Sequence, residues 1–541
     1  MSLNASVVTD EVASLCECVD STPKTVNHAE LMLYRHCRDG SGAKTALYFD
    51  HESFTYEQIA DAAAQCAAWL RSLGIKPGDR VILSMPDCPT LAASYFGVVA
   101  AGAVAIILDP ALTTEDSFYI TQLSAGRLTI AYEKDANRLQ SLRSIPNMIG
   151  VVRAGLTWTV QSEFASAISL IGKAQYTIDT NPNGYAYGLL SSGSTGRPKL
   201  IVHRHGDILY GYFGFAQRVL DLRSSDCGIS VAKMTTGYGF GCSLLMPFLR
   251  GASSALVSGP PDARTVTDIV QSCHCTLLFA QPRFLSEVVS MPNVAPRLAT
   301  LRITITGGEP LANSLADRWS TSCRTELLDS YGNTEVGFLY IANRSGDGRR
   351  GSVGRPIDGI QIQITNARGE LVSPGEIGKL RVRGPSVIER YWNDPQRTQD
   401  AFQEGWFVTS DIFSVDGDGF YFMHGRADHM IKLGCGDWVN PIELEAVLLE
   451  HHSVRECAII GAQDSQGLTM LKALVVVHDR ESIGRGMASE LSELIRGRWP
   501  RQEYKHVGIV EFTNLLPKTT AGKLDRSKLR SQSMTEFSYK C

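Results

Sequence analysis

Short apolar runs and longer mixed stretches follow one another along most of the chain. Apolar runs occupy residues 46–49, 81–85 and 102–108, and the stretches between them are of helical length, ending near residues 73 and 101. Short apolar runs bounded by turns indicate buried strands, and strand–helix–strand spacing indicates parallel pairing through crossover helices. The pattern therefore predicts an α/β fold built on mainly parallel sheet.

Two later strands, at 301–306 and 326–330, are predicted to end in glycine turns. The turns read Gly307-Gly308-Glu309-Pro310 and Tyr331-Gly332-Asn333-Thr334-Glu335. Ligands of open α/β sheets bind outside the carboxyl ends of the strands, so both turns are candidate ligand contacts. Residues 371–384 predict a hairpin turn leading into a strand, and the last hundred residues alternate helix and strand again, at 441–449, 456–461, 473–477, 488–498 and 508–512.

The length of 541 residues and the formal charge of −4 narrow the class of protein. One hydrophobic core rarely serves so many residues, so two or more domains are expected. The small net charge gives no reason to expect nucleic acid as a partner, and no run reaches the roughly 18 apolar residues of a membrane span. Thirteen cysteines, an odd number, indicate reduced thiols and a cytoplasmic protein. Residues 1–30 show little periodicity and are predicted to be a flexible leader.

Residues 191–199 mix hydroxyl side chains with glycines and end in a lysine, and the apolar residues at 187–190 and 200–202 predict strands on both sides of this loop. Glycines let the backbone approach a ligand, and hydroxyls and free N–H groups form a donor surface that suits a polyphosphate. A flexible surface loop is one alternative. The P-loop is excluded, because it needs four residues between its glycines, whereas two separate Gly193 from Gly196. The candidate phosphate contacts are Ser191, Ser192, Gly193, Ser194, Thr195, Gly196 and Lys199.

This loop resembles the phosphate-binding signature of the adenylate-forming superfamily, which includes acyl- and aryl-CoA synthetases, peptide-synthetase adenylation domains and luciferases. The usual pattern ends in glycine, where this chain has Leu200, as in stand-alone aryl-acid adenylating enzymes. The resemblance covers roughly residues 45–530. It implies a large N-terminal domain of stacked mixed sheets with helices, residues 31–427, and a small, mobile α+β C-terminal domain, residues 428–541.

Further motifs resemble the nucleotide site of that family. The run Tyr331–Glu335 is similar to Tyr-Gly-x-Thr-Glu, in which the aromatic ring stacks on adenine, the threonine contacts the α-phosphate and the glutamate holds Mg²⁺. A hard cation takes carboxylate and phosphate oxygens together, which agrees with that role for Glu335. Asp411 matches the aspartate that accepts hydrogen bonds from ribose, and Arg426 the arginine that contacts ribose or phosphate. The other predicted contacts of ATP and AMP are Gly307, Gly308, Glu309, Asp329 and Ser330.

Residues 232–241 alternate glycines with aromatic residues, so the backbone can approach a flat ligand. A glycine-rich strand corner with core aromatics is the alternative. The segment resembles the acid-pocket motif of benzoate- and anthranilate-type CoA ligases, which implies a small aromatic carboxylic acid as substrate. Phe338 stands where those relatives often have histidine, which leaves the ring substituents open. The predicted acid-pocket residues are Lys233, Gly237, Tyr238, Gly239, Phe240, Gly332 and Phe338.

The C-terminal motifs resemble the small domain of the same family. Asp428 matches the hinge about which that domain rotates, and Lys523 matches the catalytic lysine that bridges the substrate carboxylate and the α-phosphate. The loop at 433–436 is one residue longer than usual, so the final acceptor stays open. The residues predicted to line the thiol tunnel are Lys432, Gly434, Gly436 and Trp438.

The resemblance implies a two-step ligase of secondary metabolism that uses ATP, Mg²⁺ and coenzyme A and acts as a monomer or homodimer. The acid would first form an acyl-adenylate with release of pyrophosphate, and the acyl group would then pass to the thiol of coenzyme A. A carrier-protein phosphopantetheine, an amine or a small inorganic nucleophile is the alternative acceptor. A non-catalytic adenylate-binding or scaffold protein is a third reading, against which the presence of Lys523, Glu335, Asp411 and Arg426 argues.

Overall fold

A computed structural model describes residues 26–179, 181, 184–191, 197–257, 259–366, 368–435, 438–463, 467–518, 524–531 and 537–540. The chain forms a larger and a smaller compact unit. Its sheets and connecting helices agree with the predicted α/β class. The first comprises residues 1–311, 315–362 and 382–407, and the second residues 312–314, 363–381 and 408–541. The predicted division into residues 31–427 and 428–541 stays a prediction.

A nine-stranded sheet dominates the first unit. Its six central strands run parallel, and antiparallel strands close both edges. Parallel strands are covered on both faces, and the central strands Leu277–Ala280 and Ile303–Thr306 are accordingly buried at every position. In spatial order the strands are Arg355–Pro356, Leu339–Ala342, Glu326–Gly332, Ile303–Thr306, Leu277–Ala280, Cys227–Ser230, Ser253–Leu256, Thr45–Phe49 and Glu52–Thr55.

A six-stranded sheet in the same unit carries the candidate phosphate loop. Its last two strands are antiparallel, and Ser191 pairs with Lys199 in the final register position, so the strands predicted on both sides of the loop are confirmed. The other neighbouring strands pair in parallel. In spatial order the strands are Gly150–Ala154, Gly126–Tyr132, Arg80–Ser84, Val104–Leu108, Tyr185–Ser191 and Lys199–Arg204.

Helices connect the parallel strands, as the spacing predicted. The helix Tyr56–Ser72 starts with a capping box, in which Thr55 Oγ1 accepts from Gln58 N and the Gln58 side chain accepts from Thr55 N. Among the described residues, no helix has both the length and the apolar composition needed to cross a membrane. The α-helices as far as residue 401 are Arg35–Arg38, Tyr56–Ser72, Pro89–Ala100, Thr114–Leu123, Glu133–Ala136, Glu163–Ser169, Asp207–Gly211, Gly237–Phe240, Met246–Arg250, Ala263–Ser272, Pro282–Val289, Asn313–Cys323 and Pro395–Ala401.

Short π-helical and 3₁₀ segments continue or connect these helices. The π-helical segments are Glu30–Tyr34, Tyr212–Gln217 and Gly241–Leu245. The 3₁₀ turns are Gln140–Ser144, Ala295–Leu298, Thr334–Val336, Arg480–Ser482 and Glu503–Lys505. The 3₁₀ turn Thr334–Val336 carries two of the predicted site residues, Thr334 and Glu335.

Asn27 and His28, near the end of the predicted leader, are part of the folded unit. Asn27 and His28 are both buried, at 4% and 0% exposure. Asn27 Nδ2 donates to Val99 O at 2.7 Å, and the backbone N–H of His28 donates to His205 Nδ1 at 3.2 Å. These two residues thus pack as core and do not belong to a flexible leader.

Strand and helix alternate in the C-terminal part, as predicted. A sheet with the order Gln361–Thr365, Gly378–Arg383, Trp406–Val415 and Phe402–Gln403 also pairs Tyr421–Arg426 with Trp406–Val415. In the second unit, helices Pro441–Leu448 and Arg485–Arg498 pack against a four-stranded sheet through Leu444, Leu491 and Val475. The strands of that sheet are Val454–Gln463, Thr469–Val477, Ile509–Phe512 and Phe537–Lys540, and the remaining elements are Ile431–Lys432, Trp438–Val439 and the helix Arg526–Ser531.

Candidate active site

The two predicted glycine turns lie side by side at the carboxyl ends of neighbouring parallel strands. A Cβ on Gly307 would lie 3.0 Å from the backbone oxygen of Ser330 and 3.1 Å from its Oγ, so a side chain here would crowd the neighbouring strand. Ser330 Oγ in turn donates to Thr306 O at 2.7 Å. Gly308 follows with φ +84°, a left-handed conformation that favours glycine. The turn predicted after residue 306 therefore exists and brings backbone close to the next strand.

Asp329 lies beneath this edge and is 8% exposed. The backbone N–H of Ser330 donates to its Oδ1 at 2.9 Å. Burial raises the pKa of the Asp329 carboxyl well above its usual range, although that hydrogen bond opposes the shift. The protonation equilibrium of Asp329 therefore shifts towards the neutral carboxyl group, which can donate a hydrogen bond to a ligand as well as accept one.

Glu335 sits in the 3₁₀ turn Thr334–Val336 at the end of strand Glu326–Gly332. Asn333 Oδ1 caps the turn by accepting from Val336 N at 3.2 Å. The carboxylate is 7% exposed, and the hydroxyl of Tyr391 donates to its Oε1 at 2.8 Å. Glu335 and Tyr391 both belong to the first unit.

Lys199 reaches the same tyrosine from the strand that follows the phosphate loop. Its Nζ donates to the Tyr391 hydroxyl at 3.3 Å and lies 4.7 Å from the ring centroid, within cation–π range. Lys199, Tyr391 and Glu335 thus form a connected row of ammonium, hydroxyl and carboxylate. Two charges predicted from separate motifs are brought together by a residue that the sequence reading missed. Tyr391 stands in no pattern with an evident chemistry, so nothing in the sequence alone marked it.

Replacing Tyr391 by phenylalanine should weaken adenylation without unfolding the protein. Hydrogen bonds to charged groups are worth about 1.5–3 kcal/mol, so we expect the rate of acid-dependent pyrophosphate exchange to fall about 10- to 100-fold. Tyr185→Phe is the matched control, since the Tyr185 ring packs on Trp392 at 5.4 Å, next to Tyr391 in the chain. Equal exchange rates in wild type and Tyr391→Phe would show that the row does not support the reaction.

A divalent cation fits this site only if it is shared with a ligand. Among the described residues, no group of three or more His, Cys, Asp or Glu side chains could hold a metal ion. Mg²⁺ is commonly bound by one or two carboxylates together with substrate phosphates and waters. The buried carboxylate of Glu335, linked to the cationic Lys199 through Tyr391, matches that chemistry.

The glycine-rich segment 232–241 contacts the turn that carries Thr334 and Glu335. A Cβ on Gly237 would lie 3.4 Å from Thr334 Oγ1, and a Cβ on Gly241 would lie 2.1 Å from Cε2 of Phe338. At a bulge in strand Glu326–Gly332, a Cβ on Gly332 would lie 2.4 Å from Phe338 O. Gly241 and Gly332 therefore leave no room for a side chain, whereas Gly237 is in ordinary contact with Thr334. The structure brings most of the predicted acid-pocket residues to one place.

Lys233 anchors this segment through contacts with backbone. Its Nζ donates to the carbonyls of Val257, at 3.0 Å, and Gly259. The next residue, Met234, donates its backbone N–H to both carboxylate oxygens of Asp87, at 3.0 and 3.2 Å. Burial raises the pKa of Asp87 to about 6, and the nearby charge of Lys233 opposes that shift. The predicted pocket lysine thus holds the segment in place, together with Asp87, which the sequence reading did not select.

The two predicted aromatic residues of the segment face core groups. Phe240 is fully buried, with its ring centroid 5.0 Å from those of Tyr95 and Tyr187. Tyr238 donates its hydroxyl to Ile305 O at 3.0 Å. Gly239 between them has no room for a side chain, because a Cβ would lie 2.1 Å from Lys233 O. These contacts match the strand-corner alternative for the side chains.

Three predicted residues of the second unit also cluster. Arg426 donates to both carboxylate oxygens of Asp428, each at 2.9 Å, and its Nη1 lies 3.7 Å from Asp411 Oδ1. Partial burial raises the pKa of Asp428, but the hydrogen bonds and charge of Arg426 outweigh it and hold the pKa below its usual value. Asp411 follows Thr409, whose Oγ1 accepts from Asp411 N at 3.0 Å. The predicted ribose, phosphate and hinge residues are therefore neighbours.

The predicted tunnel residues lie on a short antiparallel pair, in which Lys432 pairs with Trp438. Gly434 N donates to Thr469 O at 2.9 Å, which ties the lengthened loop to the neighbouring sheet. In the phosphate loop, Ser191 Oγ is buried without a hydrogen-bond partner among the described residues. The predicted residues Ser192, Gly193, Ser194, Thr195, Gly196, Gly436 and Lys523 lie outside the described residues.

Comparison with known families matches both parts of the chain. The family model described as AMP-binding enzyme matches residues 34–392, and the one described as AMP-binding enzyme C-terminal domain matches residues 443–523. The first match contains the candidate residues from Ser191 to Phe338, and the second ends at the predicted catalytic lysine, Lys523.

The known proteins and crystal structures that resemble this chain do so over nearly its whole length. A benzoate–CoA ligase of Thauera aromatica is 30% identical over 515 residues, which cover 94% of this chain and 96% of that protein. A p-hydroxybenzoic acid–AMP ligase, FadD22, of Mycobacterium marinum is 30% identical over 90% of this chain and 66% of its own length. The crystal structure of the anthranilate CoA ligase AuaEII with anthranoyl-AMP superposes with a TM-score of 0.85 at 29% identity, covering 94% of this chain and 97% of the other.

Proposed function

Because the chain belongs to the family of AMP-binding enzymes, we propose that it is an AMP-forming acid–thiol ligase acting on a small aromatic carboxylic acid. It activates the acid with ATP and then transfers the acyl group to coenzyme A. The resemblance to a benzoate–CoA ligase along 94% of the chain supports both the aromatic substrate and the thiol acceptor. The observation that carries the proposal is the Lys199–Tyr391–Glu335 row beside the glycine-rich segment 232–241.

The first step joins two anions, so the protein has to position them and neutralise their charge. A carboxylate oxygen of the acid attacks the α-phosphorus of ATP. A bond forms between that oxygen and the phosphorus, and the bond from the α-phosphorus to pyrophosphate breaks. Lys199 brings positive charge to the phosphates, and Thr334 offers its hydroxyl. Lys523 is proposed to bridge the substrate carboxylate and the α-phosphate. Glu335 is buried, and Tyr391 donates a hydrogen bond to its carboxylate.

Mg²⁺ would be held by Glu335 and would screen the negative charge of the phosphate oxygens. Tyr391 keeps the carboxylate oriented towards its ligand by donating to Oε1. Asp411 and Arg426 are proposed to contact the ribose, since a carboxylate accepts from hydroxyls and a guanidinium donates to oxygen. Tyr331, whose ring packs at 5.4 Å against Tyr340, is proposed to stack on adenine.

In the second step the thiol sulfur attacks the acyl carbon of the adenylate, a thioester forms and AMP leaves with the carboxyl oxygen. We propose that the smaller unit rotates near Asp428 between the steps, a hinge-type movement that withdraws Lys523 and admits the thiol. The bidentate pair of Arg426 and Asp428 lies at this position and is the group that such a rotation would rearrange.

A carrier-protein thiol or a non-thiol nucleophile is the second candidate acceptor. A relative that is 30% identical is described as an AMP ligase and not as a CoA ligase. The lengthened loop around Gly434 and the leucine at position 200 point the same way. Both readings share the adenylation step and differ only in what receives the acyl group.

A substrate panel separates the candidates. AMP formation is measured with benzoic, amino- and hydroxybenzoic, cinnamic and medium-chain fatty acids, each with and without coenzyme A. We expect strong AMP formation with an aryl acid plus coenzyme A and a thioester as product. Acid-dependent pyrophosphate exchange that coenzyme A does not convert into thioester would favour the second acceptor. Activity with fatty acids alone would contradict the aromatic substrate.

A further inference from the structure

We propose that His203, held by Asp207, is a positioning residue that fixes the turn carrying Thr334 and Glu335. The inference rests on the proposed function, because Thr334 and Glu335 are its proposed phosphate and metal contacts. None of the motifs that point to the nucleotide site includes His203 or Asp207. Neither residue is proposed to touch a substrate, so both act through the backbone that they hold.

The ring of His203 connects two acceptors. Its Nε2 lies 2.7 Å from the backbone oxygen of Thr334, and its Nδ1 lies 3.2 Å from Oδ2 of Asp207. A carbonyl oxygen only accepts, so Nε2 carries the hydrogen in that contact. The imidazole is 0% exposed. Acceptors at both nitrogens define the ring orientation, because a flipped ring would place C–H groups against them.

Asp207 is itself fixed by backbone. Its Oδ2 also accepts from the backbone N–H of Arg204 at 2.9 Å, and its Oδ1 lies 3.4 Å from Arg204 Nε. The carboxylate is 6% exposed, so water does not compete for it. Asp207 therefore gives His203 a rigid support, as the carboxylate behind a metal-bound histidine does for that ring.

The turn closes over the imidazole from the other side. Thr334 O accepts from Gly337 N at 3.0 Å as well as from His203. Gly337 has φ +92°, and a Cβ there would lie 3.1 Å from His203 Cε1. The ring of Tyr187 lies 5.3 Å from the imidazole at an interplanar angle of 30°. The imidazole thus fills the space between strand and turn, and its N–H supplies one of two hydrogen bonds to the carbonyl.

The strand Lys199–Arg204 makes this contact relevant to the reaction. Residues four apart on a strand point to the same face, so His203 and Lys199 both project towards the turn. Lys199 reaches Glu335 through Tyr391, and His203 reaches Thr334 directly. One strand therefore sets the position of the cation and of the turn together. Loss of the hydrogen bond from His203 would let the turn shift. Thr334 and Glu335 would then be misplaced relative to Lys199, and small misplacements are costly in catalysis.

Two matched substitutions separate the two contacts of the ring. His203→Gln places an amide N–H near the position of Nε2 and can still donate to Thr334 O. His203→Asn places its amide near Nδ1, so it can face Asp207 but leaves Thr334 O without this donor. We expect His203→Asn to lower the rate of pyrophosphate exchange about 10- to 100-fold and to raise the Mg·ATP and Mg²⁺ concentrations needed for half-maximal rate. The KM for the acid should stay within about twofold, and His203→Gln should keep at least about a third of the wild-type rate.

Amide hydrogen exchange of a peptide spanning residues 330–340 gives a readout that needs no activity. His203→Asn should increase exchange in that peptide, and His203→Gln should restore wild-type protection. Equal loss of activity and of protection in both variants, in step with a lowered Tm, would overturn the proposal and show that the residue only fills space. Wild-type exchange and rates in His203→Asn would overturn it as well. If the wild type forms no AMP with any acid, the proposed function fails, while the exchange result still decides whether His203 holds the turn.

Discussion

Lys523→Ala is expected to lower acyl-adenylate formation by two orders of magnitude or more. Two anions meet in this step, and loss of one preorganised group that stabilises developing charge typically costs about 10²–10³ in kcat. ATP binding should largely survive, because the loop at 191–199, Glu335 and Asp411 remain. Pyrophosphate exchange measures the step, and equilibrium binding of ATP measures the nucleotide site.

The second half-reaction makes the role of Lys523 specific. Supplied with preformed acyl-adenylate and coenzyme A, Lys523→Ala should form thioester at close to the wild-type rate, because the proposed rotation removes this lysine from the site. Lys528→Ala is the matched control, since Lys528 is 59% exposed and lies 3.6 Å from Asp525. Undiminished adenylation in Lys523→Ala would mean that another residue carries the catalytic charge.

Glu335→Gln is expected to be the second most damaging change. The amide keeps the size of the side chain and can still accept from Tyr391, but it removes the charge that would bind Mg²⁺. We expect pyrophosphate exchange to fall about 10²- to 10³-fold, the size of effect found when one stabilising group of the transition state is lost. The Mg²⁺ concentration for half-maximal rate should rise, because carboxylate charge dominates the affinity for a hard cation.

Glu389→Gln is the control for the loss of one carboxylate. Glu389 is 70% exposed and pairs with Arg204 at 3.2 Å, and exposed pairs contribute little to stability. Its variant should keep the wild-type rate and Mg²⁺ dependence. A Glu335→Gln enzyme with a normal Mg²⁺ dependence would contradict the proposed metal contact, even if its rate were low.

Local patterns in the sequence were sufficient for most of the fold. The strands on both sides of the phosphate loop, the strand end at residue 306 and the alternating C-terminal elements follow from apolar periodicity and glycine turns. The strand predicted at 326–330 extends two residues further, to Gly332. The structure corrects one prediction and adds one strand that was not predicted. Asn27 and His28 are core residues, because Val99 and His205 supply their partners from far along the chain. The strand Phe537–Lys540 was not predicted, since it is short and its pairing with Ile509–Phe512 is not visible locally.

For the candidate site too, some features follow from the sequence and others only from the tertiary structure. The sequence by itself determined the α/β class, the family resemblance and the identity of residues such as Glu335 and Lys199, because each lies in a contiguous motif whose chemistry is local. Only the tertiary structure decided that Tyr391 joins these two charges, that Lys233 anchors its segment and that His203 reaches the turn at Thr334. Such contacts link residues separated by 24 to 192 positions. Hydrogen bonding and burial depend on distance in space, which spacing along the chain does not encode.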